Sequence, residues 1–437
     1  MDDVVIVGAG PAGLATAATL RARGIDATII ERGRVGEPWR SRYDRLHLHT
    51  IRSLSHLPGY RIPRDFGRWV ARDQFVQYLE RYAAHHRLEP RFGVEATRID
   101  RDNGHWSVCT TAGTIPARVV VVATGYTRLP HLPRWPGTFD GPVVHSVDYR
   151  NPQPYHDQDV LIVGAGNSGT EIAVDLVEGG ARRVRIAVRT PPNILRRDVK
   201  GFPIQLLGIV FRRLPPRLLD PLFFGLERAT IPDLSACGLP RPSAPFSQFR
   251  RTGTVPIFDV GFIDAVRGGV IEVVPGVTAF DGRAVVLADG SRIFPDAVVA
   301  ATGYRPGSSR SSAISQRSGS TVFQARNPAC ISLECAYRSP GSCMRSAWMP
   351  DRSQERWLAN LAGEATPHPP KVSQRLQPSN SVGEIRLVRR TTTSPSLTAE
   401  PRGGSLVMIM VGHDGISRAR PHRFDGVCYR LRDCAAG

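Results

Sequence analysis

Two glycine-rich segments carry the chemistry that can be read in this chain: Gly8-Ala9-Gly10-Pro11-Ala12-Gly13 and Gly164-Ala165-Gly166-Asn167-Ser168-Gly169. Each spaces its glycines as a strand-to-helix turn around a pyrophosphate demands. The first glycine permits the tight turn, the second lets the backbone approach the phosphates, and the third lets helix pack closely on strand. Backbone N–H groups and the helix N-terminus then face the anion. Two such cradles imply two dinucleotides and electron transfer between them. The end of the next strand selects each ligand. Thr28-Ile29-Ile30 ends at Glu31, where a carboxylate accepts hydrogen bonds from an adenosine ribose. Val184-Arg185-Ile186-Ala187-Val188 ends instead at Arg189, with Thr190 next. A guanidinium there favours a 2′-phosphate, which a Glu would repel. The first cradle is therefore assigned to FAD and the second to NADPH, with a second nicotinamide nucleotide left open for the first.

The elements that must position these residues follow from the apolar pattern. Val4 to Val7 and Val160 to Val163 are continuous apolar runs, as strands buried on both faces require. Leu14 to Leu20 and Glu171 to Val177 suit the helices behind them. Val119 to Val122 leads into Ala123-Thr124-Gly125-Tyr126, and the phrase recurs as Ala301-Thr302-Gly303-Tyr304. Gly125 and Gly303 would let the backbone come close to a cofactor. Arg72 to His85 has helical spacing, with Phe75, Val76, Leu79 and Tyr82 on one face. The expected class is α/β with two Rossmann-like dinucleotide-binding domains. Residues 1–154 form the first part of an FAD domain, 155–270 an inserted NADPH domain, 271–306 the return segment of the FAD domain, and 307–437 a tail.

Composition narrows the partners. The 437 residues give room for more than one domain and an ample core. A net charge of +18 invites a nucleic-acid reading, but the basicity is scattered arginine and half the excess lies after Gly307. No nucleic-acid module accompanies it, so nucleic acid is not an expected partner. Seven Cys without paired spacing fit a reducing cytoplasm. No apolar run of bilayer-spanning length and no secretory signal is present. His47, His49 and His56 lack a Cys or acid completing a ligand pattern, so no metal is expected. The stretch Phe202 to Leu226 reads as a helix over a pocket or interface, with a membrane-surface helix as the alternative.

Between the cradles, Phe139-x-Gly141-x-x-x-His145-x-x-x-Tyr149-Arg150 resembles the linker signature of class B flavin monooxygenases in their flavin-containing monooxygenase form. Trp39, shortly after Glu31, also fits that family and joins the expected cofactor residues. The chain is most similar to the plant indole-3-pyruvate monooxygenases of the YUCCA group and their bacterial relatives. Tyr43 to Leu48, Gln74 to Leu79, Phe139 to Pro142, Gly164 to Gly169 and Thr254 to Gly261 carry that likeness, which covers residues 1 to about 306. The resemblance implies that NADPH reduces FAD and that O2 adds to the reduced flavin as a C4a-(hydro)peroxide. Oxygen then passes to a small substrate: a soft N or S nucleophile, or a 2-oxo acid that loses CO2. The flavin supplies the chemistry and the protein positions it and excludes water. No catalytic side chain is assigned, and the motif position of His145 makes it a structural part of the linker. An Asn that lines the flavin in many relatives has no clear counterpart around Leu48 to Ile51. The competing readings are a disulfide reductase, which needs a redox Cys pair near the flavin, and a non-catalytic dinucleotide-binding remnant.

After Gly307 the sequence turns Ser/Arg/Pro-rich, loses sustained apolar periodicity and holds five of the seven Cys. Such a segment reads either as a poorly ordered tail or as a frameshifted one. Codons compatible with residues 331–359, read in a shifted frame, can spell a strand followed by an amphipathic helix like the carboxy-terminal segment of that family. On this reading the chain lacks its last flavin-covering elements.

Overall fold

The computed structural model describes residues 2–102, 105–125, 127, 129–211, 215–243, 246–248 and 256–305, with the backbone of 322–324 and 406–409. β1 (Asp2–Val7), α1 (Pro11–Arg21) and β2 (Thr28–Glu31) form the expected βαβ unit. α2 (Arg72–His85), β3 (Arg91–Phe92), β4 (Ala96–Asp102), β5 (His105–Thr110) and β6 (Gly113–Val122) complete it. β1 lies between β2 and β6, parallel to both, while β4, β5 and the first half of β6 make an antiparallel meander.

The apolar runs fall where the two-sided sheet needs them. Val4 and Ile6 point into a core with Leu14, Leu20, Phe75, Leu79 and Tyr82. Val5 and Val7 point to the opposite face, onto Ile30, Trp106, Val108 and Val120. All four expected apolar residues of α2 are buried. Both faces of β1 are covered, so no polar position interrupts it.

The second unit repeats this plan. β7 (Val143–His145), β8 (Asp159–Val163), α3 (Asn167–Glu178), β9 (Arg183–Val188), β10 (Ile271–Pro275) and β11 (Ala297–Ala300) build it. The strands form one five-stranded sheet in the order β10, β9, β8, β11, β7, and every pair in it is parallel. Val160 and Ile162 face the core beneath α3, and Leu161 and Val163 face the other side with Phe280, Val285 and Leu287.

The domain boundaries differ from the sequence reading here. Residues 271–306 do not return to the first sheet: β10 and β11 belong to the second, and so does β7, which precedes the expected start at 155. The physical reason is the duplication itself. β11 runs parallel beside β8 as β6 runs beside β1, so each Ala-Thr-Gly phrase stays with its own glycine loop. The expected poorly ordered or frameshifted tail lies outside the described residues, apart from two short strands. Val322–Gln324 and Leu406–Ile409 pair in parallel, and the latter adds to β6 with Leu406 beside Val119. No helix among the described residues is long and apolar enough to cross a membrane.

Candidate functional site

The two cradles have the same backbone. Gly8 has φ +112° and Gly164 φ +108°, values that an L side chain rarely adopts. The Gly8 N–H donates to Ile30 O at 2.8 Å and the Gly164 N–H to Ala187 O at 3.0 Å. Ala123 N–H reaches Val7 O at 2.8 Å, and Ala301 N–H reaches Val163 O at 2.9 Å. The helices then open at Gly10 and Gly166, whose carbonyls accept from Leu14 and Thr170, both at 3.0 Å. The N–H groups of each first turn have no intrahelical acceptor and stand at the positive end of the dipole. Pro11 at the start of α1 presets the helical φ and costs no hydrogen bond there.

Space around the glycines separates their roles. A Cβ on Gly13 would sit 1.9 Å from Gly8 O, and one on Gly169 would sit 1.9 Å from Gly164 O. Those positions exist for helix–strand contact. A Cβ on Gly10, Gly125, Gly166 or Gly303 would meet nothing within 4 Å. Gly125 (φ +73°) and Gly303 (φ +81°) answer to a left-handed backbone, whereas neither packing nor φ demands glycine at Gly10 and Gly166, where a bound group can approach the bare backbone.

The selector residues differ in kind. Glu31 is buried, and its carboxylate accepts from Ala9 N–H at 2.8 Å and Gly33 N–H at 2.9 Å. It therefore sits against the glycine loop, with lone pairs left over. Because Ile30 and Ala187 take equivalent bonds, Val188 rather than Arg189 occupies the position matching Glu31, and Arg189 lies one residue further out. Its side chain is exposed and makes no ion pair among the described residues, leaving the guanidinium free for a phosphate.

The other expected cofactor residues divide between backbone and side-chain roles. Asn167 uses its side chain to hold the strand Ile257–Asp259: Oδ1 accepts from Phe258 N–H at 3.0 Å and Nδ2 donates to Pro256 O at 3.4 Å. Its backbone N–H and the second Nδ2 hydrogen are left over. Ser168 lies near the Tyr43 phenol and pulls its pKa down against burial and Glu171. Ala12 and Ala165 pack beside their cores, and Trp39 touches the cores of both units, edge-on to Phe75 with ring centroids 4.7 Å apart.

A set of residues not assigned from sequence locks the units together. Tyr43 from the first unit donates to Glu171 Oε2 on α3 at 2.9 Å, and His49 Nε2 lies 3.4 Å from Glu171 Oε1. Burial, then the Glu171 charge, raises the Tyr43 pKa and keeps its proton in place as donor. Arg45 pairs with Glu178 across the junction, while Tyr149 donates to Asp175 at 2.8 Å within the second unit. Arg42 reaches the Tyr304 hydroxyl. Tyr43, Tyr149 and Arg45 lie in the quoted motifs; their partners, one turn apart on α3, were the part no motif marked.

His145 is committed to the linker. Its Nδ1 accepts Val147 N–H at 3.1 Å, so Nε2 carries the proton and donates to Gly303 O at 3.0 Å. Burial lowers its pKa against the opposing pull of that carbonyl. His47 Nδ1 lies 2.7 Å from Arg45 O, and burial and Arg61 lower the His56 pKa. Among the described residues no group of three or more His, Cys, Asp or Glu is placed to hold a metal.

Comparison with known proteins gives this geometry its family. A family model described as pyridine nucleotide-disulphide oxidoreductase matches residues 5–200. The indole-3-pyruvate monooxygenase YUCCA1 of Oryza sativa subsp. japonica is 38% identical over 312 residues, covering 69% of this chain and 76% of the relative. The chain belongs to the class B flavin monooxygenase family. A substituted flavin monooxygenase from Stenotrophomonas maltophilia aligns at 28% identity and a TM-score of 0.54, covering 70% of this chain and 80% of the other. OTEMO, solved in complex with FAD and NADP, shares the fold at 18% identity and a TM-score of 0.54, over 69% of this chain and 71% of its own. As a flavin monooxygenase, the chain is an NADPH-dependent oxidoreductase that uses FAD and NADPH. The cradles fit both groups: four glycine positions stay open, with a buried carboxylate against one loop and an exposed guanidinium without an ion pair among the described residues near the other.

Proposed function

We propose that the enzyme inserts one oxygen atom from O2 into a small organic substrate, either a soft N or S nucleophile or a 2-oxo acid of the indole-3-pyruvate kind. The observation that carries this reading is the pair of equivalent cradles with unlike selectors, Glu31 and Arg189, joined across one junction. FAD, held by Gly8 to Gly13, Glu31 and the Gly125 turn, supplies the redox chemistry with oxygen. Gly164 to Gly169, Gly303 and Arg189 hold NADPH in this assignment. The chain's own side chains position the two nucleotides and exclude water. Tyr43 and Glu171 fix the second cradle against the first unit, Asn167 ties that cradle to the strand Ile257–Asp259, and His145 fixes the Gly303 turn. The working compartment in this reading is the cytoplasm.

The reductase reading lacks its redox pair among the described residues. Cys109 lies in β5 of the first unit, Cys237 lies in the second, and both are free thiols. The test is direct. Purified protein is expected to be yellow and to consume NADPH and O2 together, with product formed from indole-3-pyruvate, a thioether or a tertiary amine. Colourless protein that oxidises no NADPH would instead support the non-catalytic remnant.

A further inference from the structure

Two neighbouring arginines at the end of one strand meet opposite fates. Ile194–Arg196 pairs in parallel with Ile257–Asp259, placing Arg196 beside Asp259. Arg196 is neutralised by Asp259 at 3.3 Å and Asp264 at 3.1 Å. Arg197, the next residue, is half-buried and makes no ion pair among the described residues. Its guanidinium instead lies over the Trp69 ring of the first unit, 4.6 Å from the centroid. Burial depresses its pKa, the cost of holding a cation away from water without a carboxylate in contact, while Glu171, Asp198 and Asp259 oppose that shift from further away. The well-buried arginines Arg72 and Arg185 both have carboxylate partners within 3 Å.

A second orphan stands close by. The Arg197 carbonyl accepts the Ile204 N–H at 3.3 Å, and the next residue, Gln205, is 7% exposed. Both polar atoms of its amide are buried without a hydrogen-bond partner. Buried amides are nearly always paired, so this one calls for a ligand or ordered water. Phe258 supplies an aromatic wall: its N–H is bound by Asn167 of the second cradle, and its ring faces His49 at 5.9 Å. A cation without an ion pair in contact and aromatic surface thus lie where the first unit touches the strand tied to the NADPH cradle, and the unpaired amide is joined to them through the Ile204 backbone.

We propose that Arg197, with Gln205 beside it, forms the subsite that binds the carboxylate of an aromatic carboxylic acid substrate, its ring lying against Trp69 and Phe258. The assignment rests on the proposed monooxygenase function and selects the 2-oxo acid branch of it. Arg197 is a specificity-determining residue there: it anchors the end of the substrate remote from the reacting atom.

Equilibrium binding to the full-length flavoprotein tests this, with phenylpyruvate as the probe and phenylacetone as its uncharged match. Arg197→Gln is expected to weaken phenylpyruvate about 10- to 150-fold, the range for losing a hydrogen bond to a charged group. Arg197→Lys should restore part of the loss, and phenylacetone should bind all three proteins alike. Equal losses for both probes, or no loss for phenylpyruvate, would overturn the subsite. NADP⁺ is the other available anion, and weakening of NADP⁺ by the same factor would assign Arg197 to a cofactor phosphate and overturn the proposal too. NADPH-dependent O2 consumption by the unsubstituted protein tests the underlying function separately. Its absence sinks that reading, whereas its presence with unselective probe binding sinks only the subsite.

Discussion

The glycines of the second cradle allow ligand space and packing to be pulled apart by substituting one methyl group at a time. At Gly166 the backbone is extended (φ −91°, ψ −179°), and a Cβ would meet nothing within 4 Å. Alanine fits there without strain. Its effect on stability is the difference between a small gain from a stiffer unfolded chain and a small loss of helix capping, within about 0.5 kcal/mol. At Gly169 the same methyl would lie 1.9 Å from a backbone oxygen, and real Cβ contacts stay above 3.0 Å, so α3 must move off β8 by about 1 Å. Overpacking against backbone costs about 3 kcal/mol, or about 6–12 °C in Tm for a domain of this kind. Ligand binding should invert the order of severity per unit of stability lost. Gly166→Ala places its methyl where the pyrophosphate meets the loop and removes at least one charge-assisted bond, about 10- to 150-fold in NADP⁺ affinity. Thermal unfolding without nucleotide and calorimetric titration with NADP⁺ measure the two effects. A Gly166→Ala protein that melts as early as Gly169→Ala, or binds NADP⁺ like the parent, would refute the division of roles.

Arg189→Ala should weaken NADPH by about 10-fold or more and leave NADH nearly unchanged, since only the former carries the 2′-phosphate; equal losses in competition titrations would count against that role. Tyr43→Phe removes the donor to buried Glu171 and is expected to cost about 1–3 kcal/mol in denaturant unfolding, with Tyr43→Phe/Glu171→Gln recovering part of it. His145 has a lowered pKa in the folded protein, so the unfolded chain binds the proton more tightly. Its contribution is present above the unfolded pKa of about 6.5 and is lost as pH falls through the depressed folded value. Melting curves from pH 7.5 to 5 should therefore show a drop that is smaller in His145→Gln, and identical pH slopes would exclude the link.

Most of both cradles was legible because a pyrophosphate fixes three glycines at set spacing and the backbone does the rest. Gly8, Gly13, Gly164 and Gly169 follow local geometry, and so do the continuous apolar runs of β1 and β8. What sequence left hidden depends on long-range pairing. Tyr43 and Glu171 are 128 residues apart, and neither has a signature as half of a pair. The course of residues 271–306 was misplaced for the same reason. An apolar strand ending in Ala-Thr-Gly states that it is buried and parallel, but not which of two equivalent sheets it joins. Asn167 shows a subtler limit, since its spacing marks a cradle while its side chain serves Phe258.

The second sheet takes its strands only from residues 143–300, and its first and last strands, β7 and β11, are immediate neighbours, with Val143 beside Val298. The chain thus enters and leaves the NADPH unit through adjoining strands. Such an arrangement makes the unit exchangeable as one cassette: a relative's corresponding stretch can replace it with two splices made side by side. The contacts such a graft must match include Tyr43 and His49 with Glu171, Arg45 with Glu178, and Trp69 with Arg197. Coenzyme preference can then be transplanted whole, while the flavin half keeps its own strands.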